Sequence, residues 1–476
     1  MMSTFSGIST ALSALYAQRK ALDVTGQNIA NANTDGYSRQ RVEMSSVGGS
    51  IRPALYAVSD GLGNGVTVDR IARVRDEFLE SRAEIEHARS AQLNGQEQVL
   101  ARVEDLFGEP SDTGLQSQLS DYWAAWGDVV NQPQDLAARA QLLQRGGTVT
   151  DALRTTHAGL SSLWDTTRDQ LDTLASEINT AATAVADLNE AIVRATAAGL
   201  PANELADKRD AHVLRLAELA GATSQAQPNG AVNVTLAGGS LVSGSTARSV
   251  VPAGGASMTA VKADAVANKV ILSWTDSVPA AEIGITSGGA ASTLTSLNDV
   301  MPGYARRLDD VAARLASTVN GAHDDGYDLN GDPGQAFFTG TTAATISVAL
   351  TDPAHVAASS QPPRPDPKDS TKTIPSLDAG NADALADFAG SPNGADRLYR
   401  TVVTDLGVDS QNAQRRVAIQ NVITGNNDAQ RAGQSGVSLD EEMANMLLYQ
   451  RAYQAASTMV STINSTFDSL FGMIRG

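Results

Sequence analysis

The chain has 476 residues, 42% of them hydrophobic, no cysteine, and a net charge of -18; this length and apolar content suit two to three domains. Without cysteine it has no disulfides, thiolate metal sites or thiol redox couples, and without an apolar run of about 18 residues it has no membrane-spanning helix. Its acidic balance, with no Lys or Arg cluster, argues against nucleic acid, whose phosphates need a basic face, and suits a soluble assembly subunit.

At the N-terminus Ile8, Leu12, Leu15, Leu22 and Ile29 recur at three- and four-residue steps, with Arg19 and Gly26 the imperfect positions of a helical seam. The first 30 residues lack a basic stretch followed by a short apolar core, so no cleaved secretory signal is expected. Gly61-Leu-Gly63-Asn-Gly65 has the look of a phosphate-cradling loop, but no Lys-Ser/Thr follows it. A glycine turn between strands fits better.

Leu115, Leu119, Trp123, Trp126 and Val130 predict an amphipathic helix; Asn131-Gln132-Pro133 interrupts the pattern and Leu136, Leu143 and Leu153 resume it. From Leu160 to Ala195 a heptad seam runs through Leu160, Trp164, Leu171, Leu174, Ile178, Ala181, Val185, Leu188 and Ile192, with Thr167 its polar break. At about 1.5 Å per residue this predicts a rod of ~54 Å. A further helix is expected from Asn203 to Leu219, stopped by Gly221. These pieces together predict an elongated antiparallel bundle.

At Pro228-Asn229-Gly230 the period changes to alternation through Val232, Val234 and Leu236, which is strand chemistry. Gly238-Gly239, Gly244, Gly254-Gly255 and Gly288-Gly289 punctuate short segments such as Lys269 to Trp274, as in a compact β-domain. A helix with Tyr304, Leu308, Val311, Leu315 and Val319 on one face interrupts this zone. Residues 359–381 hold five of the 16 prolines and predict an extended linker.

The C-terminus returns to helix. Leu439, Met443, Met446, Tyr453, Val460, Phe467, Phe471 and Ile474 form one stripe, and Leu447, Met459, Ile463, Leu470 and Met473 widen it beyond what one partner covers. Ser438 followed by Glu441 predicts a capping box, with Asp440-Glu441-Glu442 complementing the helix dipole.

A search for chemistry finds little. Asp328-Leu-Asn330-Gly-Asp332 begins like a calcium loop, but Pro333 stands where the turn needs Gly and Thr339 where a bidentate Glu belongs, leaving an Asx-rich turn. His87, His157, His212, His323 and His355 lie far apart without zinc-protease spacing, and there is no nucleophile elbow.

The segment Asn28-Ile-Ala-Asn-Ala-Asn-Thr-Asp-Gly-Tyr-Ser-Arg-Gln40 resembles the signature that follows the first helix in bacterial flagellar axial proteins, and Gly36-Tyr-Ser-Arg-Gln40 points within them to the hook-associated protein 1 family. Ser435 to Met446, followed by Tyr449-Gln-Arg-Ala-Tyr453, resembles the closing helix of that family. Gly63-Asn-Gly-Val66, Asp207-Lys-Arg-Asp210, Leu241 to Arg248 and His323 to Asp332 have counterparts there too, so the likeness spans most of the chain. The motif positions carried over are Asn28, Asn31, Asn33, Gly36, Tyr37, Ser38, Arg39 and Gln40.

The resemblance implies an α+β multidomain fold: an elongated helical bundle or coiled coil built from both chain ends, with an inserted mainly-β domain. The expected parts are 1–222, the N-terminal helical part of an inner axial domain; 223–358, a β-rich outer domain with a helix near 300–322; 359–381, the linker; and 382–476, the C-terminal helical part. Larger members of the family carry an extra outer β-domain, reduced here to the proline-rich stretch. It implies a structural subunit without active site, cofactor or metal, joining the flagellar hook to the filament at the hook-filament junction outside the cell. Implied partners are the hook protein, the adjacent hook-associated protein towards the filament, copies of the chain in a ring-like zone, the type III export apparatus, and a cytoplasmic chaperone at the C-terminal helix. The expected assembly interface is Ile8, Leu12, Leu15, Leu22, Ile29, Leu439, Met443, Met446, Tyr453, Val460, Ile463, Phe467 and Phe471. Because isolated helices are marginal in water, both termini are expected to be largely disordered in the exported monomer and to order on docking. A rod or hook subunit, which shares the general terminal pattern, stands as the alternative. A cell-wall hydrolase on an axial framework would need a catalytic set in the β-domain, where Glu282 lacks a partner; a coiled-coil signalling or adhesion protein would explain the heptads but not the paired terminal motifs.

Overall fold

The structure, a computed structural model, describes residues 4–48, 63 and 65–475. Helix α1 (Thr4–Ala30) leads into the antiparallel pair β1 (Gln40–Ser46) and β2 (Val66–Arg73). Four helices follow: α2 (Glu77–Phe107), α3 (Leu115–Asn131), α4 (Leu136–Ala197) and α5 (Asn203–Ala220). Strands β3 (Thr223–Ala226), β4 (Val232–Leu236), β5 (Gly239–Ser243) and β6 (Thr246–Ala247) make a four-stranded antiparallel meander in sequence order. Then come β7 (Val250–Ala253), α6 (Met258–Ala263), and β8 (Ile271–Trp274), which pairs with β7. Helix α7 (Gly288–Thr295) passes through a π-helical turn at Ser296–Val300 into α8 (Met301–Asp324). The hairpins β9 (Phe338–Thr339) with β10 (Ser347–Val348), and β11 (Arg364–Asp366) with β12 (Asp369–Ile374), precede α9 (Gly380–Ala386), α10 (Ala395–Ser435) and α11 (Leu439–Arg475). The fold is α+β, with long helices at both ends and a smaller strand-bearing insert.

Two compact units form, neither continuous in sequence: one gathers Met1–His87, Asn179–Arg248 and Val422–Gly476, the other Ala88–Ile178 and Ser249–Asn421. This partition differs from the sequence-order parts expected above, because α2, α4 and α10 are uninterrupted helices inside which the boundaries fall. The heptad seam of 160–195 accordingly belongs to one 62-residue helix that starts at Leu136.

In the first unit the meander packs its inward side chains at period two: Val232, Val234 and Leu236 are buried while Asn233 and Thr235 are half-exposed. Ala237 and Gly238 both take positive φ in the two-residue turn that joins β4 to β5. Asn189, fully buried on α4, donates from Nδ2 to the carbonyls of Val232 (2.7 Å) and Gly244 (2.8 Å) and accepts from the Val232 amide at 3.0 Å. This satisfies a polar group inside an apolar contact and fixes the helix on the sheet. Gly221 closes α5 in the left-handed conformation expected of it.

The second unit is built round aromatic side chains. Tyr122, Trp126, Phe337, Phe338 and His323 pack with ring centroids 4.8 to 6.5 Å apart. The Trp164 indole donates to Leu297 O at 2.8 Å, and Trp123 Nε1 to Asp396 Oδ2 at 2.6 Å. His323 donates from Nδ1 to Gln335 O and accepts at Nε2 from the Ala357 amide (2.8 Å). Burial pushes its imidazole down to about 4, so it is neutral at pH 7. Helix α8 buries Tyr304, Leu308, Val311, Leu315 and Val319, as their spacing predicts.

Two expectations need correcting here. Gly288-Gly289 opens helix α7 instead of punctuating strands. Residues 359–381 hold the hairpin β11–β12 and are tied at the base by Asp378, whose carboxylate accepts from the Ser359 and Ser360 hydroxyls and from the Ser360, Gln361 and Gly380 amides. Glu282 makes an exposed ion pair with Lys269 at 2.7 Å. The Asp328 segment is an Asx turn, with Oδ1 accepting from the Asn330 and Asp332 amides. Of the glycine-rich stretch near 61–65, Gly61, Leu62 and Asn64 lie outside the described residues; Gly65, at φ +102°, abuts α1 so closely that a Cβ would meet Ser13 Oγ.

Candidate functional site

The terminal helices α1 and α11 pack along one another within the first unit. On α1 the stripe Gly7, Ala11, Ala14, Gln18, Ala21, Thr25, Asn28 steps by four and three residues, and both its ends touch α11. A Cβ on Gly7 would stand 3.3 Å from Ile463 Cδ1, and Asn28 Nδ2 donates to Glu442 Oε2 at 3.0 Å. Small residues let the two backbones approach closely. On α11 the half-buried positions Asn445, Tyr449, Ala452, Ala456 and Ile463 recur in the same rhythm.

Of the large apolar residues expected at the interface, Ile463 lies on the α11 stripe itself and Val460 and Phe467 continue its spacing, whereas Ile8, Leu12, Leu15, Leu22 and Ile29 on α1 and Met446 and Tyr453 on α11 stand one position further along, about 100° round. Ile8, Leu15, Leu22 and Ile29 are half-buried and Leu12 is exposed. On α11 Met446, Val460, Ile463 and Phe467 are half-buried, whereas Leu439, Met443, Tyr453 and Phe471 are exposed. Leu447 (55% exposed), Leu448 (61%), Met459 and Met473 extend that open face, and Tyr16 adds to it on α1. The side chains of Leu470 and Ile474 lie outside the described residues. The structure thus brings α1 and α11 together through small and polar residues of α1 against a mixed stripe on α11 that includes Tyr449 and Ile463, and leaves most of their remaining large apolar side chains partly or wholly in solvent.

The signature between α1 and β1 is a clamp on the start of α11. Asn31 Nδ2 caps the end of α1 by donating to Gln27 O (2.9 Å), Thr34 Oγ1 donates to Asn31 Oδ1, and Gly36 takes φ +77°, a conformation that disfavours side chains. Asn33 is exposed. Tyr37 OH and the Gln40 amide each donate to Asn28 Oδ1 at 2.9 Å. Burial, with the carboxylates of Asp207, Glu204 and Glu442 nearby, pushes the Tyr37 phenol up to about 12. Arg39 donates from Nε to Glu442 Oε1 (2.8 Å) and from Nη1 to Glu441 Oε2 (2.7 Å), and its amide donates to Ser435 O. Glu442 is only 2% exposed.

These contacts correct the capping-box expectation: Ser438 Oγ accepts from the Glu441 amide at a long 3.5 Å, while the Glu441 and Glu442 carboxylates point to Arg39. Sequence reasoning named both motifs but not their contact, which joins residues about 400 positions apart.

A second layer had no assigned role. The Ser38 amide donates to Asp207 Oδ2 (3.2 Å), Arg73 Nη1 bridges Asp207 (2.9 Å) and Asp210 (2.7 Å), and Arg75 pairs with Asp210 and Glu80. Burial alone would raise the Asp210 carboxyl, but Arg75, Arg209 and Arg73 together hold it below its ordinary value. Arg73 and Arg75 went unmarked in the sequence; their signal is that they stand two apart in a chain poor in basic residues, opposite the Asp207 to Asp210 stretch. Nearby, His87 sits between Glu218 (3.2 Å from Nδ1) and Asp428 (3.1 Å from Nε2). The Glu218 hydrogen bond above all, then Asp428, raises its imidazole against the effect of burial.

Among the described residues no group of three His, Asp or Glu side chains is placed to hold a metal ion, and no helix is long and apolar enough to cross a membrane.

Comparison with known proteins bears on the family of the chain. A family model for the flagellar hook-associated protein FlgK helical domain matches residues 100–338; the models for flagella basal body rod protein and for the flagellar basal body rod FlgEFG C-terminus match residues 8–37 and 430–473. The chain is similar to flagellar hook-associated protein 1 of Bacillus subtilis (strain 168), 26% identical over 497 aligned positions and 95% of each chain. It is similar to its namesake in Escherichia coli (strain K12), 27% identical over 70% of this chain but only 59% of that longer relative. The solved hook junction protein FlgK from Burkholderia pseudomallei shares the fold, with a TM-score of 0.63 at 16% identity over 75% of this chain and all of that one. With just over half its length matched by the helical-domain model, the chain belongs to the flagellar hook-associated protein FlgK family, structural subunits of the flagellar axis and not enzymes.

Proposed function

We propose that this chain joins the hook to the filament, docking through the open apolar face of α1 and α11. The observation that carries the reading is that face: Leu12, Leu439, Met443, Leu447, Leu448 and Phe471 are exposed on helices already packed together, in a member of the hook-associated family. So many large apolar side chains left in solvent on two helices mark a partner site. In the assembled flagellum the partners are the hook protein on one side, the adjacent hook-associated protein on the other, and copies of the chain around a ring-like zone.

The chain reaches that place through the type III export apparatus, and a cytoplasmic chaperone covers the C-terminal helix until then. The disorder expected of both termini gives way to a formed pair: α11 packs on α1 within the chain, and a preformed hook end covers the apolar side chains that this pair leaves open. Ile8, Leu15, Leu22, Ile29, Met446, Tyr453, Val460, Ile463 and Phe467 supply the remainder of the interface.

The second reading, a rod or hook subunit, has its own observation: the models matching both termini are those of rod proteins. Against it stands the hook-associated match over residues 100–338. Electron microscopy of cells lacking the gene separates the two. Bare hooks, with filament protein shed into the medium, are the expected result; absent hooks favour a rod or hook subunit, and normal filaments overturn both.

A further inference from the structure

We infer that Arg39 and Glu442 are positioning residues that fix the register of α11 on α1 and make its order depend on the signature segment. The inference deepens the assembly reading, because α11 carries most of the proposed docking face.

The argument starts from where the polar contacts lie. Among the described residues, the polar side-chain contacts from α11 to other elements sit in its first turn: Glu441 and Glu442 to Arg39, and Glu442 to Asn28. Beyond that turn the hydroxyls of Thr458, Thr462, Ser465, Thr466 and Ser469 bond back into α11's own backbone. The stripe facing α1 is then a repeat of half-buried residues, Tyr449, Ala452, Ala456 and Ile463, against the small residues of α1. Such a seam specifies direction but only weakly specifies register: sliding by one turn, about 5.4 Å, sets similar side chains opposite one another.

Glu442 removes that degeneracy. A buried carboxylate displaced from Arg39 and Asn28 would be left without a partner, and that penalty is the best-attested use of a buried ion pair. The signature cannot follow α11 if it slides, because the Ser38 amide is held by Asp207 on α5, the Arg39 amide donates to Ser435 O, and the Val74 amide holds Arg39 O. Register is therefore passed from the folded body of the unit, through Ser38 and Arg39, to the first turn of α11.

The test is hydrogen exchange on the full-length monomer, comparing wild type with Glu442→Gln, Arg39→Gln and the double variant. Amides over residues 439–463 are expected to exchange roughly tenfold faster or more in each single variant, with β4, β5 and α3 unchanged and the double variant no worse than the singles. Glu441→Gln, which alters only the exposed half of the clamp, is a mild control that keeps the fold and is expected to show a smaller increase of the same pattern. Wild-type exchange in α11 of both single variants overturns the inference, as does faster exchange spread evenly over the chain. The readout needs no hook, so it is separate from the junction reading: bare hooks in cells lacking the gene bear on that reading alone.

Discussion

Two sets of helices in this chain carry the same spacing of apolar residues and meet opposite fates. Along α4 the seam is mostly enclosed: Leu160, Trp164, Leu171, Ile178, Ala181, Val185 and Ile192 are buried, Leu174 and Leu188 half-buried, and the polar break Thr167 is buried too, its hydroxyl donating to Leu163 O at 2.7 Å. On α1 and α11 the corresponding residues are half-buried or open, and apart from Ile463, which faces Gly7, the helices meet through small residues such as Ala11, Ala21, Ala452 and Ala456. Spacing predicts that a helix has an apolar face; whether that face is covered depends on what else the chain supplies. Where the chain supplies nothing, the surplus belongs to a neighbour.

The largest effect expected from this contrast is in the enclosed seam. Leu171→Ala removes a fully buried side chain and is expected to cost about 2–5 kcal/mol in urea unfolding. A loss below about 1 kcal/mol would show the α4 seam to be as loosely held as the terminal ones.

Next come two histidines that respond to pH with opposite sign. His323, pushed down to about 4 by burial, contributes stability that is complete above the ordinary histidine value near 6.5 and is lost as pH falls towards 4. That is about 3 kcal/mol at ~1.4 kcal/mol per unit. His323→Asn, which keeps a donor and an acceptor, is expected to flatten this acid limb in a pH series of melting curves. His87 is raised, so its contribution is present below about 6.5 and is lost as pH rises through its folded value. His87→Asn is expected to remove that alkaline loss, by a smaller amount since the ring is partly exposed; NMR titration of the imidazole checks the direction.

The smallest effect on the monomer belongs to the open face. Met443→Ser and Leu447→Ser are expected to move unfolding by less than about 0.5 kcal/mol while lowering the fraction of cells that bear filaments. A large loss of monomer stability would mean that this face is covered within the chain.

Much of the fold was legible because it rests on local rules. The α8 face, the alternation of β4 and the Gly221 stop follow from period and backbone freedom, which one window of sequence displays. What escaped is long-range. Glu441 and Glu442 satisfy the local pattern of a helix start, so nothing nearby announces that Arg39 draws both carboxylates away. The stripe joining α1 to α11 escaped because Gly7, Ala11 and Ala21 are too small to register as a hydrophobic seam, although small size is what allows close packing. The division into units escaped because α4 and α10 run as unbroken helix across it, α10 even through Gly425 beside the boundary. The family, too, is carried differently from the way the motifs suggest: both ends match rod-protein models, and the helical stretch 100–338 is what distinguishes the hook-associated family.

The most direct test of the account is a chain ending at Ser438, expressed in place of the full one. It is predicted to keep the urea midpoint of the aromatic unit round Trp126 and Phe337 while the cells carry bare hooks. Filaments built on hooks capped by that truncated chain would contradict it.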